Sequence, residues 1–509
     1  MFGHHNRRRF LQTAGTAGAM LGLDGFSLLT GLRPVGASEV KLDPKRVVLD
    51  AGIEPLVQLI EETPRERIIE EVAARVHKGL SYRELLTALF LAGVRNIRPR
   101  PVVGFKFHAV MVIHSAHLAS LAAPDAERWL PLFWSLDLFK SSQAANEKES
   151  GWYLGPVDEA KVPAPRKAHQ AFIDAMDNWD EAAADVAAAG LARSVGANEA
   201  FELFCRYGAR DFRDIGHKAI YVANGWRTLQ CIGWQHAEPV LRSLAYALLK
   251  HEGDNPAKRD AEADLPGRRN RTLVAKLRPE WQEGKNGTEA SADLLATLRE
   301  GTPDAAADCV VKLLNGGASV QSVWDGLYAA ATELVLRQAA IPALHAVTTT
   351  NALRQAFEMS GDDETRRWLL LQNAAYLPMF RAFMGQRGSV KQARIDQLTP
   401  VPLTASGSEA VAEIFRDVGK DPAAAAGKVL AYREAKGDPG ALMDAARLLI
   451  FFKGNDAHDY KFSSAVLEDY GRLSPAWRDR YLAASAYLLR GAGAKDTSLV
   501  KRTQAALKS

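Results

Sequence analysis

The sequence predicts an all-α protein made of two homologous helical halves packed about a pseudo-twofold axis. Three observations carry that prediction. Beyond Ser38 strand-like alternation is scarce, whereas apolar residues recur at i, i+3, i+4 and i+7 in long Ala-, Leu-, Glu- and Arg-rich segments. Gly, Pro and Asp interrupt these segments at helix-like lengths, as in "ERIIEEVAARVHKGL" and "HAEPVLRSLAYALLKHEG". Motifs of the first half also return in the second, in the same order, at an offset of roughly 240 residues, far beyond a solenoid period.

The first element, residues 1–37, reads as a twin-arginine (Tat) signal peptide. In "NRRRFLQTAGTAGAMLGLDGFSLLTGLRPVGA", Arg7-Arg8-x-Phe10-Leu11 is followed by a weakly apolar run and by Val35-Gly36-Ala37, with cleavage expected after Ala37. Asp24 and the many glycines make the run a poor permanent span. The expectation is export to the periplasm, the Tat machinery as a partner and no stable membrane span after cleavage. Tat substrates cross the membrane folded, often with a metal or cofactor already loaded, so the leader also raises the expectation of a cofactor.

Of the 509 residues, 47% are hydrophobic and 24% charged, enough apolar material for sizeable cores. Most of the formal +4 charge comes from Arg7, Arg8, Arg9 and Arg33, so the mature chain is nearly neutral. No Lys/Arg stripe with interleaved aromatics is present, and nucleic acid is not an expected partner. Cys205, Cys231 and Cys309 are odd in number and form no CxxC. That excludes a disulfide scaffold, a thiolate zinc site and c-type haem.

The first helical half spans 38–250, a polar connector 251–290, the second half 291–495 and a tail 496–509. Pro64 falls opposite Pro303, Gly79 opposite Gly317, Trp129 opposite Trp368 and Tyr246 opposite Tyr487. "HEGDNPAKRDAEADLPGRRNRTLVAKLRPEWQEGKNG" between the halves is rich in Gly, Pro and charge and reads as a connector over the surface.

Histidine follows the duplication. The mature chain has ten, of which only His345 and His458 lie in the second half, opposite His108 and His217. The four form a core set, one residue on each of two helices per half. They are candidate metal ligands or proton carriers, since imidazole is a common transition-metal ligand and titrates near neutrality. The alternative is that each is a buried hydrogen-bonder within its own half.

A second set occurs only in the first half. His114 and His117, at i and i+3, share a helix face and could chelate one ion, whereas His108 points elsewhere on a straight helix. His236 and Glu238 complete this set, with His217, His236 and Glu238 as candidate catalytic groups. The run from Arg210 to Glu238 is dense in charge and aromatics. Arg210 to Asp214 reads as a solvated, ion-paired helix end. Trp226, Arg227 and Trp234 read as a cofactor-binding pocket wall. Gly151–Pro156, "GWYLGP", reads as a packed turn or a rim.

GxGxxG, GxxxxGK[ST], GxSxG and HExxH are absent, which leaves Rossmann, P-loop, α/β-hydrolase and zincin functions without motif support.

"LHAVTTTNALR" (Leu344–Arg354), then "HDYKF" (His458–Phe462) and "YLAASAYLL" (Tyr481–Leu489), loosely resemble segments of questin oxidase-like helical proteins. That resemblance implies oxidative chemistry on an organic, aromatic substrate. The exported leader sets the chain apart from that family. The leading expectation is therefore an exported oxidoreductase acting on a small organic substrate through a histidine-bound transition metal, with iron favoured. Its rivals are a non-enzymatic ligand-binding or scaffold protein with structural histidines, and a cofactor-free lyase or isomerase with a histidine base.

Overall fold

The computed structural model describes residues 49–100, 105–125 and 127–508; the leader lies outside them. The described chain is all-α, with no β-strand and one isolated bridge between Lys285 and Ala318.

Local sequence explains where helices start. Ser81 and Glu84 form a capping box that opens the Tyr82–Asn96 helix. Ser319 accepts the Ser322 N–H and opens the Val320–Arg337 helix. Two residues before each cap stands a left-handed glycine, Gly79 (φ 97°) and Gly317 (φ 89°). Leu130–Glu149 in the first half and Asp363–Gly385 in the second are both long helices, and Ala237–Leu248 and Pro475–Ser485 both come late in their halves.

Five helices build the site: α1 (Phe105–Met111), α2 (Ile113–Leu121), α3 (His217–Ile232), α4 (Ile341–Met359) and α5 (Ala457–Asp469). α3 packs on α4, α4 on α5, α5 on α2 and α2 on α3, closing a ring in which the α3–α4 and α5–α2 contacts join the halves. One apolar core runs through both halves. A smaller cluster joins Val112, Ala116 and Trp134 to Ile450, Phe451 and Tyr460. Within it the Trp134 and Tyr460 rings stack at 4.3 Å. Among the described residues no helix is long and apolar enough to cross a membrane.

The connector is more ordered than its composition suggests. Leu265–Leu273 is a helix packed on Asp363–Gly385. Trp281 is wholly buried, and its indole N–H donates to Asp363 at 2.8 Å. Isolated apolar anchors between charged residues leave no periodicity to read. The same holds for the tail. Ser498–Ala506 is a helix that buries Val500 and Ala506, and its Arg502 pairs with Glu70 at 2.6 Å.

Candidate metal centre

His217 is the first residue of α3, and the three residues before it are left-handed. Asp214 has φ 58° and ψ 31°, Ile215 φ 47° and ψ 47°, and Gly216 φ 79° and ψ 2°. Such a backbone is costly for a β-branched residue and persists only where its surroundings impose it. Here the surroundings are a buried ion-pair lattice. The Asp211 carboxylate accepts the Arg213 N–H at 3.0 Å and the Lys218 ammonium at 3.0 and 3.1 Å. Arg213 in turn is clamped to Asp264 at 2.5 and 2.7 Å. Burial raises the Asp211 pKa, but Lys218, Arg210 and Arg213 outweigh it and hold the carboxyl below its ordinary range. The 210–214 segment is thus a buried brace rather than a solvated helix end.

The left-handed turn aims a carbonyl at the imidazole. His217 Nδ1 lies 2.5 Å from the Asp214 carbonyl oxygen. On α4, His345 Nδ1 lies 2.8 Å from the Ile341 carbonyl oxygen. A carbonyl only accepts, so each Nδ1 carries the proton and each neutral ring turns a bare Nε2 lone pair outward. Those two lone pairs face one another, with His217 Nε2 3.0 Å from His345 Nε2. His108 Nε2 also lies 3.0 Å from His217 Nε2, within hydrogen-bond distance. A cation shared between them resolves the lone-pair contact of His217 with His345. A proton suits that role poorly. Burial drives the pKa values of both His217 and His345 well below the ordinary 6.5, and the nearby Lys461 charge adds to the effect. A metal ion suits it well, because deprotonated nitrogens are what it binds. Among the described residues His108, His217 and His345 are the group whose ligand atoms all lie within 4.8 Å of one another.

His458 closes the fourth side. Its Nδ1 is 2.6 Å from Asp456, whose carboxylate also caps α5, and its Nε2 is buried without a hydrogen-bond partner. The ring centroids stand 5.0 Å apart for His108–His217, 4.4 Å for His217–His345, 5.1 Å for His345–His458 and 4.6 Å for His458–His108. The His108–His345 diagonal is 6.4 Å. All four histidines therefore meet in one cluster between the halves, not in one pair per half.

The other sequence candidates lie apart from this cluster. His114 and His117 have ring centroids 6.0 Å apart. His114 is buried with Nδ1 unpartnered, and burial lowers its pKa. His117 Nδ1 meets the Tyr82 hydroxyl at 3.1 Å. His236 sits beside Gln235, 3.4 Å away. Glu238 is engaged by Arg193 at 2.7 and 3.0 Å, in an exposed network that includes Glu159. These four residues form no ligand group among the described residues. Trp226 stacks on Phe201 at 4.3 Å and meets Trp234 edge-on at 5.9 Å. Arg227 is buried and crosses to the second half, donating to Glu468 at 2.7 Å and Gln355 at 2.8 Å. "GWYLGP" is irregular backbone in which Leu154 is buried and its N–H donates to the Arg95 carbonyl at 2.8 Å. A cleft of about 220 Å³ between α2 and α5 is lined by Leu118, Tyr460, Ser463, Ser464 and Glu468, and by none of the four histidines.

Sequence reasoning passed over three contributors: Asp456, Lys461 and the left-handed Asp214–Gly216 turn. A signal was present in "NDAHDYK", where an acid two residues before His458 and a lysine three after it share the start of one helix. Lys461 is buried without a hydrogen-bond partner, and burial lowers its pKa to about 7.

No family profile, curated protein or solved structure matches the chain significantly.

Proposed function

We propose that the chain is an exported metalloprotein that holds a transition-metal ion between its two halves and uses it in oxidoreductase chemistry on a small organic substrate. One observation carries the metal: His217 Nε2 lies 3.0 Å from both His108 Nε2 and His345 Nε2, while the Nδ1 atoms of His217 and His345 are already committed to carbonyls. The reading of this cluster as a functional site draws support from cost. A left-handed Ile215 and an unpartnered buried Lys461 both destabilise the fold, and such features concentrate where chemistry needs them. Iron suits a His/carboxylate set. Glu238 is held by Arg193, and an imidazole-only set suits copper as well as iron.

The scaffold reading has one observation in its favour, the backbone partner of each Nδ1 in His217 and His345. It gives no reason for the contact of the His217 and His345 Nε2 atoms, whose Nδ1 atoms both face carbonyls. A lone histidine base is poorly served here, because those nitrogens face other rings. We also read the halves as an internal duplication, which the paired helix order and the Gly79/Gly317 starts support.

Metal analysis of the exported protein tests the central claim. The expectation is about one metal ion per chain, lost in His108→Ala and His217→Ala and kept in His114→Ala. An unchanged fold with no metal in the wild type returns the centre to core packing.

A further inference from the structure

We propose that His458 is a fourth metal ligand, so that the ion sits on a pseudo-twofold axis and takes two imidazoles from each half; this rests on the metal reading above. The quadrilateral of rings carries the argument. A twofold rotation that exchanges His108 with His345 also exchanges His217 with His458. It must map the His108–His217 edge onto His345–His458, and these measure 5.0 and 5.1 Å. It must also map His217–His345 onto His458–His108, and these measure 4.4 and 4.6 Å. Both pairs of edges agree, although the four residues stand on four different helices.

His458 lies outside the group of three whose ligand nitrogens are within 4.8 Å of one another, so coordination would draw its ring inward; its chemistry favours that role. Asp456 accepts from Nδ1 at 2.6 Å, which fixes the tautomer and leaves Nε2 as the lone-pair nitrogen. That Nε2 is buried and has no hydrogen-bond partner, a state that is costly unless something else binds it. A carboxylate on the far nitrogen of a ligand histidine orients the ring and raises its basicity. The ligand set is then four imidazole nitrogens with no thiolate and no carboxylate, a donor set that suits a cupric ion. Because the ligands come from α1, α3, α4 and α5, the same ion ties the two halves together.

The test uses the full mature chain, freed of metal with a chelator and reloaded with one equivalent of Cu(II). Electron paramagnetic resonance, with X-ray absorption on the same sample, counts the coordinated nitrogens. Wild type is expected to show four imidazole nitrogens. His458→Ala is expected to show three and to lose copper to a competing chelator at least tenfold more readily. Asp456→Asn keeps the ring, so four nitrogens are expected with affinity lowered roughly ten- to a hundredfold; this variant covers the case in which His458→Ala does not fold. Three nitrogens in the wild type, or a count unchanged by His458→Ala, overturns the fourth ligand and leaves the three-histidine site standing. Failure of the wild type to retain copper, zinc or iron removes the metal reading and this inference with it.

Discussion

His217 and His345 bring their Nε2 atoms to 3.0 Å while each Nδ1 is already spent on a carbonyl. In the metal-free protein this contact sets one lone pair against another. Replacing His345 with alanine removes the repulsion along with the packing of the ring. The wild type should therefore gain strongly in thermal stability on loading. A ligand at a hundredfold excess over its Kd contributes about 2.7 kcal/mol. His345→Ala should gain nothing from the same metal. Calorimetry of both proteins with and without metal decides this, and equal metal-induced shifts would count against His345 as a ligand.

Gly216 is where α3 meets α4. Its φ is 79°, and a Cβ there would overlap the Thr349 side chain, one turn beyond His345. Gly216→Ala should cost roughly 1–3 kcal/mol from backbone strain with the collision added. It should also push His217 away from His345 and weaken metal retention. Combining it with Thr349→Ala should restore part of the stability, because the collision goes and the strain stays. A double-mutant cycle from denaturant melts measures the coupling; strict additivity would show that the helices do not meet as described.

The fold class was legible because helical periodicity survives in nearly every element. The histidine pairing was legible because His108 and His345, and His217 and His458, stand at nearly the same offset of roughly 240 residues, amid flanking residues that match. What the sequence did not show was which pairs converge. Short-range spacing suggested His114 with His117 on one face, yet the histidine cluster is assembled by helices more than a hundred residues apart, as with His108 and His217. The acid of the site was misread for a similar reason. Glu238 lies close to His236 in sequence but meets Arg193, whereas Asp456 meets His458 only because it caps the helix on which that histidine stands. A left-handed Ile215 has no sequence signature of its own.

Arg227 separates a structural bridge from a cofactor contact. It spans the halves to Glu468, which Asn351 also holds at 2.8 Å and Arg472 at 3.2 Å. Arg227→Met should thus leave a carboxylate that still has partners, at a cost of about 1–3 kcal/mol for the lost charged hydrogen bonds. Metal content should not change. Loss of the metal in this variant would tie Arg227 to the centre after all.

Lys461 gives the fold a pH dependence that can be isolated. Its ordinary pKa is 10.5, and burial lowers it to about 7 in the folded chain, with Asp456 opposing the shift only in part. Between these values the unfolded chain holds a proton that the folded chain lacks. Acidification in that range therefore favours unfolding, and stability rises as the pH climbs from about 7 towards 10.5. His217 and His345 act lower down. Their folded pKa values lie below 6.5, so the stability they share with the neutral form is present above 6.5 and is lost as the pH falls beneath it. Lys461→Met keeps the length and removes the amine. Its melting temperature should exceed that of the metal-free wild type at pH 7, and the difference should shrink towards pH 10, while the decline below pH 6.5 remains in both proteins. Parallel curves from pH 7 to 10 would mean that the amine finds a partner in solution and keeps its proton.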